Sequence, residues 1–452
     1  MMLKRMRTVP IRRQKRETHL GERQSQDEVV LLAPLIHTSR GFVLLVVLLL
    51  AILAVGAAAY VYQLVNGLSV TGMNRPVYWG LYIVNFVFFI GLAHSGTFIS
   101  AILTLVGAEW RRPLARAAEA ITVFSVPFGA SSILLDLGRI ERMANVFLYG
   151  RFESPLLWDV TSVSLYLFSS LVFFYLSLLP DIAMCRDKLT NVPHWQHQMY
   201  RILSFGWKGH PEQYRRLEKV LSGMAIFMSL LVVIVHTVVA FVFSMTLQPS
   251  WHTAVMGPFF LVGAVFSGSG AVVIAMAVLR RVYHLENMLT LKHFDNMRKL
   301  LITLSLVWLY FMVAEYLTTF YGHEIEEMHI FWEKFIGAFA IPFWVMFTFC
   351  FAVPLTIFLT KGKKSIGWMV AAGLIINVGM WLERYIVIIP TMTRPRLLSG
   401  LTMGTYTPTW IEWTITAACF AGALLFYALF TRFFPIISIW ERSEEIEAYL
   451  HE

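Results

Sequence analysis

Ionisable side chains set inside long apolar runs are the first residues to question, because a charge in hydrocarbon is costly and is kept only for a reason. Asp136 and Arg139 stand one helical turn apart where one apolar run ends, Asp159 stands where the next begins, and His252 opens a later one. If these runs are helices packed as a bundle, the four groups share one depth near one face of a membrane. An apolar pocket with an acid, a base and a cation at its mouth suits a quinol. Its ring is small, its two hydroxyls need proton acceptors, and its isoprenoid tail stays in lipid. Asp159, Asp136 and His252 are then the candidate catalytic groups, with His94 and Arg139 completing the candidate quinol-binding set. Asp136 and Arg139 also have a plainer reading, as an i,i+3 ion pair capping a loop.

Two further groups raise different chemistry. His94 and His236 both fall near mid-membrane, the arrangement of a bis-histidine haem, but without a facing geometry hydrogen bonding inside the bundle is the simpler expectation. Glu315, Glu333, Glu383, Arg384 and Glu412 form a second outer set. They could carry a proton route or an ion-pair network tying bundles together. Glu383 and Arg384, being adjacent, point to different faces of a helix and need not pair. Cys185, Cys350 and Cys419 contain no CxxC pair, so no metal site, haem or iron–sulfur cluster is expected in this chain. His194, His197 and His210, in a basic loop beside Trp195, read as interfacial anchors rather than ligands.

The elements that hold these residues follow from composition. Of 452 residues, 57% are hydrophobic and 14% charged, which excludes a water-soluble surface. Backbone amides unpaired in lipid each cost several kcal/mol, so apolar runs of about 20 residues read as helices. We place crossings at 41–65, 77–107, 114–138, 156–180, 220–247, 252–280, 299–321, 330–359, 366–389 and 409–434. The expectation is an all-α polytopic protein of about ten crossings, in two four-helix bundles plus two extra helices. Its parts are a basic tail (1–40), a first crossing and outer loop (41–76), a first bundle holding the site (77–249), a second bundle (250–390), and a last crossing and tail (391–452).

With the N-terminus inside, about 29 of the 37 lysines and arginines fall on the cytoplasmic side and about 8 on the outer side, as the positive-inside rule requires. Both termini are then cytoplasmic. The net charge of +9 is explained by that bias and by anionic lipid headgroups, which leaves no call for nucleic acid. A weak repeat sets His94-Ser95-Gly96 against Phe266-Ser267-Gly268, and Trp158-Asp159 against Trp332-Glu333. An offset of four crossings keeps the same orientation, so the bundles should be related by an axis along the membrane normal. Outer loops are too short for a domain.

Several motifs carry a resemblance. LDLGR (135–139) and SPLLWD (154–159) resemble the outer helix ends of the NrfD-like family, the membrane subunits of polysulfide reductase and related complexes. GLAHSGT (91–97), PSWHT (249–253), WLERYIVIIPTMTRPR (381–396), YTPTWIEW (406–413) and FPIISIWE (434–441) are similar to ActC, the quinol-oxidising membrane subunit of bacterial alternative complex III. This resemblance spans most of residues 77–440. It implies a bacterial cytoplasmic membrane, a quinol site in the first bundle near the outer face, and menaquinol as the leading substrate. It also implies an iron–sulfur partner subunit on the outer side, with a homologous membrane subunit and c-type cytochrome subunits in the same complex. Asp136, Asp159 and His252 match motifs around that site. Where the family often has an acid nine positions before the PSWHT tryptophan, this chain has Val242. The competing functions are a secondary transporter, suggested by the repeat and the intramembrane carboxylates, and a quinone-free anchor subunit.

Overall fold

The computed structural model describes residues 28–105, 107–246, 248–362, 365–394 and 404–441. Most of the basic N-terminal tail, part of the loop at 390–408 and the last eleven residues lie outside these. Among the described residues, ten helices are long and apolar enough to cross a membrane. They are α1 (Arg40–Asn66), α2 (Leu81–Leu105), α3 (Arg112–Asp136), α4 (Pro155–Lys188) and α5 (Pro211–Ser244). They continue with α6 (Met256–Val282), α7 (Leu291–Gly322), α8 (Ala340–Thr360), α9 (Ile366–Met392) and α10 (Trp410–Phe433). No strand occurs among the described residues.

Local sequence sets the helix ends. Ser39 Oγ accepts the Phe42 amide at 3.1 Å to open α1, and Thr409 with Glu412 forms a capping box on α10. The chain closes α2–α3–α4–α5 into one ring and α6–α7–α8–α9 into another, while α1 lies on α10 and α10 on α3. This is the expected pair of four-helix bundles with two added helices. Helix α2 also packs on α6 and α9, so it is lined by protein on nearly every side and can bury polar residues along its length.

Small residues bring helices together both within the first bundle and between the two bundles. A Cβ on Gly96 would lie 2.1 Å from the Ala118 carbonyl oxygen of α3, and one on Gly268 would lie 1.4 Å from Ser95 Oγ of α2. Both glycines are therefore spacers that bring backbones together, the small-residue device of membrane helix pairs.

The eighth crossing differs from the expected 330–359. Its first part is a separate short helix, Ile325–Phe335, followed by a turn before α8 begins at Ala340. The Glu333 carboxylate accepts the Ala338 amide at 2.9 Å, and Gly337 follows too closely on Glu333 to admit a side chain. A π-helical turn at Thr348–Ala352 then interrupts α8. Trp251 belongs to the core. It is fully buried, stacks on Trp79 at 5.9 Å and donates to the Val387 carbonyl at 2.8 Å.

Candidate functional site

Helix α4 enters the first bundle with Asp159 in its second turn. The side chain is 6% exposed, and Oδ1 has no hydrogen-bond partner among the described residues. Along the same helix the buried polar residues are Asp159, Tyr166, Ser170, Ser177 and Asp181. Spacings of seven, four, seven and four keep them on one face, so α4 carries a polar stripe from its N-terminal end, the expected outer side, to its C-terminal end, the expected inner side.

Partners on the neighbouring helices extend that stripe into a column. Tyr166 donates to the Ala93 carbonyl at 2.9 Å, and Thr122 of α3 donates to the same carbonyl at 2.6 Å. Further in, Glu119 accepts from Ser100 at 2.7 Å and from Ser177 at 3.2 Å. At the inner end the buried Arg116 and Asp181 form an ion pair. Asp181 also accepts the amides of Ile439 and Trp440, while Arg116 donates to the carbonyls of Ser177, Pro435 and Ile437. The FPIISIWE segment thus lies across the inner mouth of the bundle. Burial raises the Glu441 carboxyl above its usual range, against the pull of Arg111, Arg116 and Arg112.

The other outer candidates are distributed differently from the expected single cluster. Helix α3 ends at Asp136, and Gly138, in a left-handed conformation at φ 65°, turns the chain away, leaving Arg139 exposed. The i,i+3 ion pair is therefore not formed, because the helix that would align it has stopped. Asp136 Oδ1 has no partner among the described residues, and the residue lies within electrostatic reach of Glu412 and Tyr82. Tyr82 donates to Gln63, whose amide donates to the Leu135 carbonyl at 3.0 Å. Glu412 gathers the Gly72 amide at 2.7 Å, the Thr409 amide at 2.9 Å and the Tyr406 hydroxyl at 2.5 Å, pinning the loop before α2 to the start of α10.

His252 is exposed and donates from Nε2 to the Thr246 carbonyl at 2.6 Å. It lines an outer cleft of about 540 Å³ together with Glu315, Glu324 and Glu327. No hydrogen bond or ion pair among the described residues joins Asp159 to Asp136 or His252. Behind the cleft, a cavity of about 30 Å³ is lined by Glu315, Tyr316 and Lys334 among others. Burial pushes the Lys334 ammonium down to about 8, against the opposing carboxylates of Glu315, Glu327 and Glu383.

Glu383 and Arg384 pair with each other at 2.8 Å, contrary to the expectation from their helical positions. Both are 2% exposed, and two long side chains with no other full countercharge in contact curl together rather than stay apart. The approach is out of hydrogen-bond alignment, so both Glu383 oxygens remain without a hydrogen bond among the described residues. Arg384 reaches across to the Phe260 carbonyl at 3.4 Å and lies over the Phe260 ring at 4.6 Å.

At mid-membrane, His94 of α2 and His236 of α5 meet Nδ1 to Nδ1 at 2.8 Å, and His236 Nε2 lies 2.9 Å from the Phe260 carbonyl. Both nitrogens of His236 are engaged in hydrogen bonds. Arg116, Glu119, Tyr166, Asp181 and Lys334 escaped the sequence reading. A signal was available in Glu119, an acid within an otherwise apolar stretch, and in the FPIISIWE motif beside it in space.

Chemically, the first bundle offers a buried carboxylate at the outer end of a polar column, next to lipid-facing helices. The profile of the family described as Polysulphide reductase, NrfD matches residues 69–396. The chain is 24% identical to the Hdr-like menaquinol oxidoreductase integral membrane subunit of Archaeoglobus fulgidus, over 87% of this chain and 93% of that one. It is 23% identical to a selenate reductase subunit of Mesobacillus selenatarsenatis, over 85% and 92%. It is also 27% identical to a putative dimethyl sulfoxide reductase membrane subunit of Halobacterium salinarum, covering 51% of this chain and 50% of that relative.

Proposed function

The chain belongs to the NrfD family of membrane subunits of oxidoreductase complexes, and from that premise we propose that it binds and oxidises quinol, with menaquinol the leading candidate. The observation that carries this is Asp159, a buried carboxylate with a free oxygen at the outer end of the first bundle's polar column. A quinol hydroxyl supplies the hydrogen bond that Oδ1 lacks and gives up its proton there as the electron leaves. The named menaquinol oxidoreductase relative supports the substrate class. Asp136, His94, Arg139 and His252 remain the further candidates for binding and proton acceptance. Glu315, Glu333, Glu383, Arg384 and Glu412 remain those for a proton route.

In this reading the electrons pass to an iron–sulfur subunit on the outer side. A homologous membrane subunit and c-type cytochromes complete a complex of the alternative complex III type in a bacterial cytoplasmic membrane. The test is to purify the complex and the chain alone, extract the lipid-soluble quinone, and assay menaquinol oxidation. The complex is expected to carry quinone and to turn over, and the chain alone to bind quinone without oxidising it. Absence of quinone from an active complex, or electron transfer by the chain alone, would count against the proposal.

Two further outcomes follow from the same reading. A reporter fused after Glu452 should be active only on the cytoplasmic side, since ten crossings return the chain to the side where it began; an externally active fusion refutes the orientation. Cross-linkers placed in the loop 139–154 should capture the iron–sulfur subunit. Recovery of cytoplasmic proteins alone contradicts an outer partner.

A further inference from the structure

The hydrogen bonds around His236 determine which nitrogen of His94 carries its proton. The Phe260 carbonyl can only accept, so His236 Nε2, 2.9 Å away, bears a hydrogen. In the neutral ring its Nδ1 is then a lone pair, and His94 Nδ1, 2.8 Å from it, must donate. The remaining nitrogen, His94 Nε2, is left as an acceptor. It is buried and has no partner among the described residues, and His94 itself is 0% exposed. A buried acceptor without a donor is costly and calls for an occupant. The ring cannot easily turn to relieve this, because it packs against Tyr166 at 4.3 Å between centroids.

We propose that His236 is a positioning residue, which fixes His94 in its Nδ1–H tautomer so that Nε2 meets a quinol hydroxyl as a proton acceptor. This rests on the quinol reading above. In the step the quinol O–H bond breaks and an N–H bond forms on His94 Nε2, while the electron leaves for the iron–sulfur partner. His94 becomes an imidazolium that still donates to His236.

The second bundle sets the limit of that step. Arg384 of α9 reaches the same Phe260 carbonyl that His236 holds. A proton passed on to His236 would set a second cation on that carbonyl, and the Glu383 carboxylate beside Arg384 balances only one of the two, so the charge stays on His94. The bundles are thereby joined at one backbone atom.

The test combines imidazole nitrogen NMR on the 15N-histidine-labelled full complex with turnover of three variants. His94 signals, assigned against His94→Gln, are expected to show hydrogen on Nδ1 and none on Nε2. In His236→Asn the amide oxygen replaces the Nδ1 acceptor, whereas His236→Gln and His236→Leu remove it. Turnover at saturating menaquinol is expected to fall roughly 10-fold or more in the Gln and Leu variants, with KM less affected, and to be largely rescued in the Asn variant. A His94 with hydrogen on Nε2 overturns the positioning role alone. Equal turnover in the Asn and Leu variants overturns it as well. The expected tautomer with no variant affecting oxidation would overturn the quinol reading of His94 and the positioning role together.

Discussion

Asp159→Asn is expected to give an assembled complex whose quinol oxidation falls by about 10²–10⁴-fold, the worth of a positioned general base. The amide keeps the size of the carboxylate and can still hydrogen-bond, so the protein level should change little. What it loses is basicity at Oδ1, a buried oxygen without a partner among the described residues. Because the side chain is 6% exposed, bulk water is poorly placed to substitute. Loss in kcat with KM little changed would mark a role in the transition state rather than in binding. An Asn variant oxidising quinol at the unmodified rate would make Asp159 structural and move proton acceptance to Asp136, His94 or His252.

The fold was largely legible because the membrane imposes one requirement, an apolar helix long enough to pair its backbone, and that requirement is written locally. The exception at 330–339 arose where apolar composition continued through a turn. Ile336 and Phe339 keep the run hydrophobic, while the Glu333 carboxylate and Gly337 break the helix there. Composition cannot distinguish those two conditions.

The site was less legible, and the reason is that side-chain reach and tertiary neighbours decide which groups meet. Asp136 and Arg139 have ideal helical spacing, but the helix stops between them. Glu383 and Arg384 have poor spacing, yet they pair, since neither finds another full countercharge within contact distance. Outer-end charges stand out in the sequence, whereas those of the inner half blend into their surroundings. Arg116 is one more cation under the positive-inside rule, and Asp181 follows Pro180 as though opening a polar loop. Helix α4 actually runs 34 residues, about 50 Å at 1.5 Å per residue, well past the roughly 30 Å hydrocarbon core. Asp181 therefore sits on a helix against α3 rather than in a loop.

That inner pair yields the second large effect. Arg116→Leu or Asp181→Leu leaves one buried charge without its partner, a loss of about 3–5 kcal/mol, so each single variant should lower the unfolding temperature in detergent or fail to accumulate. The double variant Arg116→Met with Asp181→Leu removes both charges at once and should recover much of that stability, because well-packed apolar replacements of a buried pair are often neutral. It cannot recover the contacts the pair makes with the chain end. Asp181 holds the amides of Ile439 and Trp440, and Arg116 holds the carbonyls of Pro435 and Ile437. The double variant should therefore be stable yet cleaved faster by protease within 434–441, uncoupling the closure of the inner mouth from the integrity of the bundle. Single variants as stable as the unmodified protein would show that the charges are already relieved by water. A double variant with unchanged protection of 434–441 would show that Trp440, buried and bonded to the Ser177 carbonyl at 3.2 Å, holds the segment without the ion pair.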